Sequence, residues 1–140
     1  MKKALKLFLM FSVILLCLVQ PVSAATSTVK LKVTLVRVEL VENSHVGNEW
    51  YTTALVNGKE IEEGSSVTLK LKSSESLKLK AYAEEQDKIP ESGSANATVK
   101  VSSVTKDITK SLKVKVTENR GRYSGNTAEW KFTFKVQKSK

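Results

Sequence analysis

From Val29 to Val136 apolar and polar residues alternate with a period of two, and no window carries the 3.6-residue apolar spacing of an amphipathic helix. That excludes helical bundles and α/β folds. Val29, Leu31, Val33 and Leu35 alternate with Lys30, Lys32 and Thr34. The phase then slips by one residue to Val36, Val38 and Leu40, around Arg37 and Glu39, which predicts a bulge or a strand that changes sheets. A second strand uses Trp50, Thr52, Ala54 and Val56 and ends at the turn dipeptide Asn57-Gly58. A third uses Val67, Leu69 and Leu71, and a fourth uses Leu77, Leu79, Ala81 and Ala83. Val99 and Val101 mark a fifth that continues towards Val104, and Leu112, Val114 and Val116 mark a sixth. The seventh is Trp130, Phe132, Phe134 and Val136. About seven strands, each with one apolar face and separated by Gly, Asn and Ser turns, predict an all-β, two-sheet antiparallel β-sandwich. Trp50 and the run Trp130 to Phe134 are expected to supply most of its aromatic packing.

The alternation does not reach the start of the chain. Met1-Lys2-Lys3-Ala4-Leu5-Lys6 is cationic, and Leu7 to Val19 is a 13-residue apolar run broken only by Ser12. Pro21 follows, then Val22-Ser23-Ala24 with small residues at the −3 and −1 positions before Ala25. This is the pattern of a cleaved secretory signal peptide over residues 1–24, leaving a single domain over 25–140. As a helix the apolar run would span only about 20 Å of a roughly 30 Å hydrocarbon layer, too little for a transmembrane anchor. Cys17 follows Leu16 inside the apolar run, where a lipoprotein signal requires a small residue. Cleavage at Ala24 removes this only cysteine, and with it disulfides, thiolate catalysis and Cys-based zinc sites. A cysteine-free exported domain with a Lys-Lys start reads as a bacterial product, secreted or loosely associated with the cell wall. The sequon Asn96-Ala97-Thr98 carries little weight, because such tripeptides are common by chance.

Three stretches carry a resemblance: Val33-Thr34-Leu35-Val36-Arg37-Val38-Glu39, then Gly47-Asn48-Glu49-Trp50-Tyr51, then Val56-Asn57-Gly58. With the closing strand Trp130 to Val136, they resemble small exported bacterial β-sandwich proteins of C2-like or immunoglobulin-like fold. The resemblance implies a fold and no activity.

Catalysis finds little support. A nucleophilic triad needs a base beside a Ser or Cys, and His45 is the only histidine, in the polar turn Asn43-Ser44-His45-Val46-Gly47. No G-x-S-x-G, HExxH or phosphate-cradling glycine loop occurs, and no pair of carboxylates stands out for glycoside hydrolysis. No enzyme and no cofactor are expected.

The loops and the lysines carry more. In an alternating sandwich, successive connections fall at opposite ends, so 57–64, 84–96 and 118–125 are expected to share one end. They would bring Glu60, Glu62 and Glu63 towards Glu84, Glu85, Asp87 and Glu91, with Glu118, Arg120, Arg122 and Tyr123 nearby. Convergent oxygens suit Ca²⁺, and Glu84, Glu85, Asp87 and Glu91 form the candidate set. The plainer reading, and the one the sequence favours, is a solvated acidic rim paired with arginines and without metal, since the D-x-D-x-N-G spacing of calcium loops is missing. The stretch 84–96 is longer than a hairpin needs and is the candidate recognition loop.

The chain carries 23 basic and 14 acidic residues, and residues 25–140 keep a net charge of +6. Lys70, Lys72, Lys78 and Lys80 alternate outward on what read as two consecutive, paired strands, and Lys100, Lys113 and Lys115 do the same later. One cationic patch from the first four would attract an anionic cell-wall polymer or membrane surface. Outward lysines also keep β-proteins soluble and protect edges, which is the plainer reading. No base-stacking aromatics interleave them, which argues against nucleic acid. The leading reading is therefore a secreted, non-enzymatic binding or interaction protein acting at the cell envelope or outside the cell. The alternatives are a C2-like, calcium-dependent membrane- or partner-binding domain, and an extracellular structural protein that self-associates through residues 29–41 as an unprotected edge. Ligand and oligomeric state stay open at this level.

Overall fold

The period-two alternation resolves into eight strands in the computed structural model, which describes residues 27–140. The expected leader 1–24, its cleavage point and Cys17 lie outside the described residues. The strands are β1 (Thr28–Asn43), β2 (Trp50–Val56), β3 (Lys59–Ile61), β4 (Ser66–Lys72), β5 (Ser76–Glu85), β6 (Glu91–Lys100), β7 (Ile108–Thr117) and β8 (Thr127–Lys138). They form two antiparallel sheets, ordered β4-β1-β8-β7 and β3-β2-β5-β6. The architecture is the expected two-sheet sandwich. The buried faces of both sheets meet in one core, in which Leu31, Val33, Leu35, Leu77, Leu79, Val114, Val116, Phe132, Phe134 and Val136 are essentially inaccessible to water.

The phase slip in the first strand is a bulge. The β1–β8 register shifts between Leu35 and Arg37, and Val36 is left exposed. Before the bulge Leu31, Val33 and Leu35 point inward, and after it Val38 lies opposite Phe132. A second shift, between Leu40 and Glu42, has no counterpart among the expected features of this strand. The first bulge falls where β4 stops pairing, at Thr34 opposite Ser66. The crossover 62–65 is tied in at that point, with the Gly64 N–H donating to the Leu35 carbonyl (2.7 Å) and the Leu35 N–H to that of Ser65 (3.2 Å). β1 is therefore an interior strand along Thr28 to Thr34, and only its later half is an open edge, bent by both bulges. That corrects the picture of residues 29–41 as an unprotected edge.

The eighth strand is β3, unread because it has only three residues. Asn57 (φ 49°) and Gly58 (φ 80°) make the two-residue turn that returns the chain along β2. The Asn57 Oδ1 accepts from the Lys78 N–H at 2.7 Å and fastens the turn to β5.

The fifth expected strand begins earlier than Val99. β6 runs Glu91–Lys100, and Val101–Ser103 is a single 3-10 turn that buries Val101. The inward residues of β6 include Gly93, Ala95 and Ala97, which are too small to give an apolar alternation. Small residues are needed there: a Cβ on Gly93 would come within 2.2 Å of the Lys115 carbonyl oxygen on β7. The aromatic expectation holds for Phe132 and Phe134, which are fully buried. Trp50 and Trp130 are only half-buried and meet edge to face, with ring centroids 5.6 Å apart.

Candidate functional site

The β1–β2, β5–β6 and β7–β8 connections share one end of the sandwich, since Asn43, Glu85, Glu91, Thr117 and Thr127 all stand at the corresponding strand ends. At this end β5 keeps its inward phase one step beyond its apolar residues. Leu77, Leu79, Ala81 and Ala83 face the core, and Glu85 follows them inward with 1% of its surface exposed. Its cross-strand partner is Glu91, 6% exposed, directly opposite across the hairpin. Asp87 in the connecting loop completes the group, and one carboxylate oxygen from each of Glu85, Asp87 and Glu91 lies within 4.8 Å of the others.

The loop backbone satisfies part of this cluster. Glu85 Oε2 accepts from the Asp87 N–H (3.0 Å), and Asp87 Oδ1 accepts from the Ile89 N–H (2.8 Å). Glu91 Oε2 is buried with no hydrogen-bond partner. Gly47 (φ 128°) lies against the Glu85 carboxylate so closely that a Cβ would sit 2.2 Å from Glu85 Oε1. Asn43 braces that glycine: its Nδ2 donates to the Gly47 carbonyl (2.7 Å) and its Oδ1 accepts from the Val46 N–H (3.0 Å). Trp50 on β2 is the cross-strand partner of Glu85. Two ionised carboxylates at about 4–5 Å repel by on the order of 3–4 kcal/mol at an effective dielectric of 20. Among the described residues, no ion pair neutralises them.

Three of the four candidate calcium residues are thus brought together, and Glu84 is not. Odd and even positions of a strand face opposite ways, so Glu84 points outward, where its Oε2 accepts from the Tyr82 hydroxyl at 2.5 Å. That bond raises the Tyr82 pKa above its ordinary value, opposed by a bond to the Ser92 hydroxyl. Glu60, Glu62 and Glu63 do not join the rim either, because β3 takes up one connection and places them on the crossover side. Glu60 instead accepts from the Thr53 hydroxyl (2.7 Å). Among the described residues, the expected pairing of Arg120 and Arg122 with these acids does not form. Arg122 lies over the Tyr123 ring (5.7 Å), which stacks on His45 (5.0 Å, 13° between planes), and Glu118 Oε1 accepts from the Arg120 N–H. The presumed long recognition loop is only the five residues 86–90, since β5 and β6 extend over the rest.

The lysines divide differently from the sequence reading. Lys70 and Lys72 belong to β4 and Lys78 and Lys80 to β5, in opposite sheets, so the single patch of these four does not form. The chain crosses between sheets around Ser73 to Glu75 and does not make a hairpin there. Lys70 instead lies opposite Lys30 on β1, Lys72 opposite Thr28, and Lys32 opposite Thr68. Lys30, Lys32, Lys70 and Lys72 therefore share the outer face of one sheet, all exposed. Elsewhere on this sheet four cations are matched by acids: Lys113 with Glu129 (2.7 Å), Lys131 and Arg37 with Glu39 (3.3 and 3.2 Å), and Lys135 with Asp107 (3.3 Å), whereas Lys110, Lys115 and Lys138 join no salt bridge among the described residues. The bond and charge of Glu129 raise the Lys113 pKa. Among the described residues, none of the four lysines at the β1–β4 end joins a salt bridge, and only Lys30 Nζ has a side-chain bond, to the Lys140 carbonyl oxygen (3.0 Å).

Sequence reasoning missed Lys30 and Lys32 as members of a patch, although their alternation with Leu31 and Val33 already placed them on an outer face. It also missed Gly47 and Trp50 as neighbours of the acidic cluster, for which no local signal exists. Among the described residues, no helix is long and apolar enough to cross a membrane, which says nothing of β-barrel spans. Neither a family model nor a curated protein matches the chain.

Proposed function

We propose that this chain is an exported, non-enzymatic β-sandwich that binds an anionic polymer of the cell envelope through the outer face of β1 and β4. The observation that carries the reading is the direct opposition of Lys30 and Lys70, with Lys32 and Lys72 beside them and no acid among the cross-strand partners of the four. Directly opposed residues on an antiparallel pair stand about 5 Å apart at Cβ, and like charges there destabilise the sheet. A bound polyanion would turn that repulsion into attraction, with a strength that falls as salt rises. The residues interleaved with these lysines on the face are Thr28, Thr34, Ser66, Thr68 and Gln137. None offers an apolar side chain to enter a bilayer, which favours a hydrated polyanion over a lipid surface.

The test is co-sedimentation of the purified protein with cell walls rich in anionic polymer, across a salt series. Changing Lys30, Lys32, Lys70 and Lys72 together to Gln should abolish binding at low salt. Changing Lys78 and Lys80 to Gln on the other sheet should leave most of it. Equal loss from both sets, or binding indifferent to salt, overturns the reading. Stronger pelleting with anionic lipid vesicles than with walls would move the ligand to the membrane.

A further inference from the structure

We propose that Glu85, Asp87 and Glu91 form a Ca²⁺ site at the opposite end of the sandwich from the lysine face, independent of that face's role. Two observations carry this together. Three carboxylate oxygens converge within 4.8 Å. Separately, Glu91 is more than nine-tenths buried, and its Oε2 has no hydrogen-bond partner.

A carboxylate oxygen held away from both water and donors is costly unless a cation or a proton meets it. The β5–β6 pairing places Glu85 opposite Glu91, so neither can escape the other without breaking the hairpin register. Gly47 closes the cluster from the β1–β2 loop and leaves no room there for a side chain to supply a positive charge. All the donors are hard oxygens, which suit Ca²⁺, Mg²⁺ or Mn²⁺ and disfavour softer metals. Oxygens on opposite sides of a Ca²⁺ ion lie about 4.6–5.2 Å apart, twice its usual bond length, so one ion reaches all three carboxylates with little movement. Asp87 is exposed on its loop, which leaves the outer positions to water and suits the flexible coordination of Ca²⁺ better than the strict octahedron of Mg²⁺. A bound ion would tie the 86–90 loop to both strand ends and fix the shape of this rim.

The cross-strand neighbour of Glu85 supplies the readout. Trp50 lies close enough to pass excitation energy to a Tb³⁺ ion, a luminescent substitute for Ca²⁺, held at the cluster. Excitation of tryptophan should produce Tb³⁺ emission that excess Ca²⁺ displaces. Millimolar Ca²⁺ should raise the melting temperature by roughly 4 °C or more, with Mg²⁺ giving much less. Glu91→Gln and Asp87→Asn should each remove at least tenfold of the Tb³⁺ affinity, whereas Glu84→Gln, outside the cluster, should leave it unchanged. Trp50→Phe should lower the emission while keeping the thermal response to Ca²⁺. If Ca²⁺ leaves the melt of the unaltered protein where the chelator does, or if Glu84→Gln weakens Tb³⁺ as much as Glu91→Gln, the site does not exist.

Discussion

Glu85 and Glu91 stand directly opposite one another on β5 and β6, both buried, with the backbone of Gly47 packed against the first. Opposed like charges weaken a strand pair, and burial strengthens their interaction by lowering the local dielectric. Glu91→Gln replaces one charge with an amide that can donate to Glu85. In chelator at pH 7, this variant should be more stable than the parent by about 1 kcal/mol or more. Urea unfolding with chelator present checks it, and a destabilised variant would refute repulsion between the two side chains.

The close approach of Gly47 makes a second expectation. At φ 128° a side chain strains the backbone, and here a Cβ would also displace the Glu85 carboxylate. Gly47→Ala should cost about 1–3 kcal/mol. Part of that cost belongs to the contact and should vanish in a Glu85→Ala background, giving a coupling of roughly 0.5–3 kcal/mol in a double-mutant cycle. Strict additivity would assign the whole effect to the backbone.

Phe132 carries more of the core than the more conspicuous Trp130. Phe132 is completely buried between the sheets, whereas Trp130 is half-buried at the loop end and its indole N–H lacks a partner. Phe132→Ala should cost about 3–5 kcal/mol in urea unfolding, and Trp130→Ala distinctly less. The reverse order would show the aromatic load to be at the loop end.

Two protons are held more tightly in the folded protein than in the unfolded chain. Tyr82 is bonded to Glu84, and Lys113 is bonded to Glu129, so both folded pKa values lie above the ordinary 10.0 and 10.5. Each contribution is complete below those ordinary values and is lost as pH climbs through the raised folded ones. Stability should therefore decline above about pH 10. The doubly altered Tyr82→Phe, Lys113→Gln protein should decline less steeply, as urea unfolding at two alkaline pH values would show. Parallel declines would exclude these two groups.

Local pattern was a sound guide wherever a property depends on neighbours in the chain. Alternation placed Leu31, Val33 and Leu35 in the core and marked the phase slip after Leu35 that is a bulge, and the dipeptide Asn57-Gly58 marked its turn. The same parity, carried two residues past Ala83, would have turned Glu85 inward and Glu84 outward. It was lost because the apolar residues end at Ala83, and a carboxylate does not read as a core position. The start of β6 is hidden for a related reason: Gly93 has no room for a side chain beside β7, and Gly93, Ala95 and Ala97 together leave almost no hydrophobic signal.

An all-β chain with one wet and one dry face on nearly every strand is legible from residue order alone, because side-chain direction in a strand follows from a two-residue repeat. Which strands become neighbours emerges only in the folded molecule. The crossover 62–65 carries the chain from β3 to a place beside β1, so Lys70 meets Lys30, and Lys78 lies in the other sheet. The hairpin β5–β6 likewise sets Glu85 against Glu91, and the β1–β2 loop brings Gly47 onto them. Strand pairing is settled by contacts between residues distant in sequence, each stabilised only when the others have formed. No local repeat can therefore encode it.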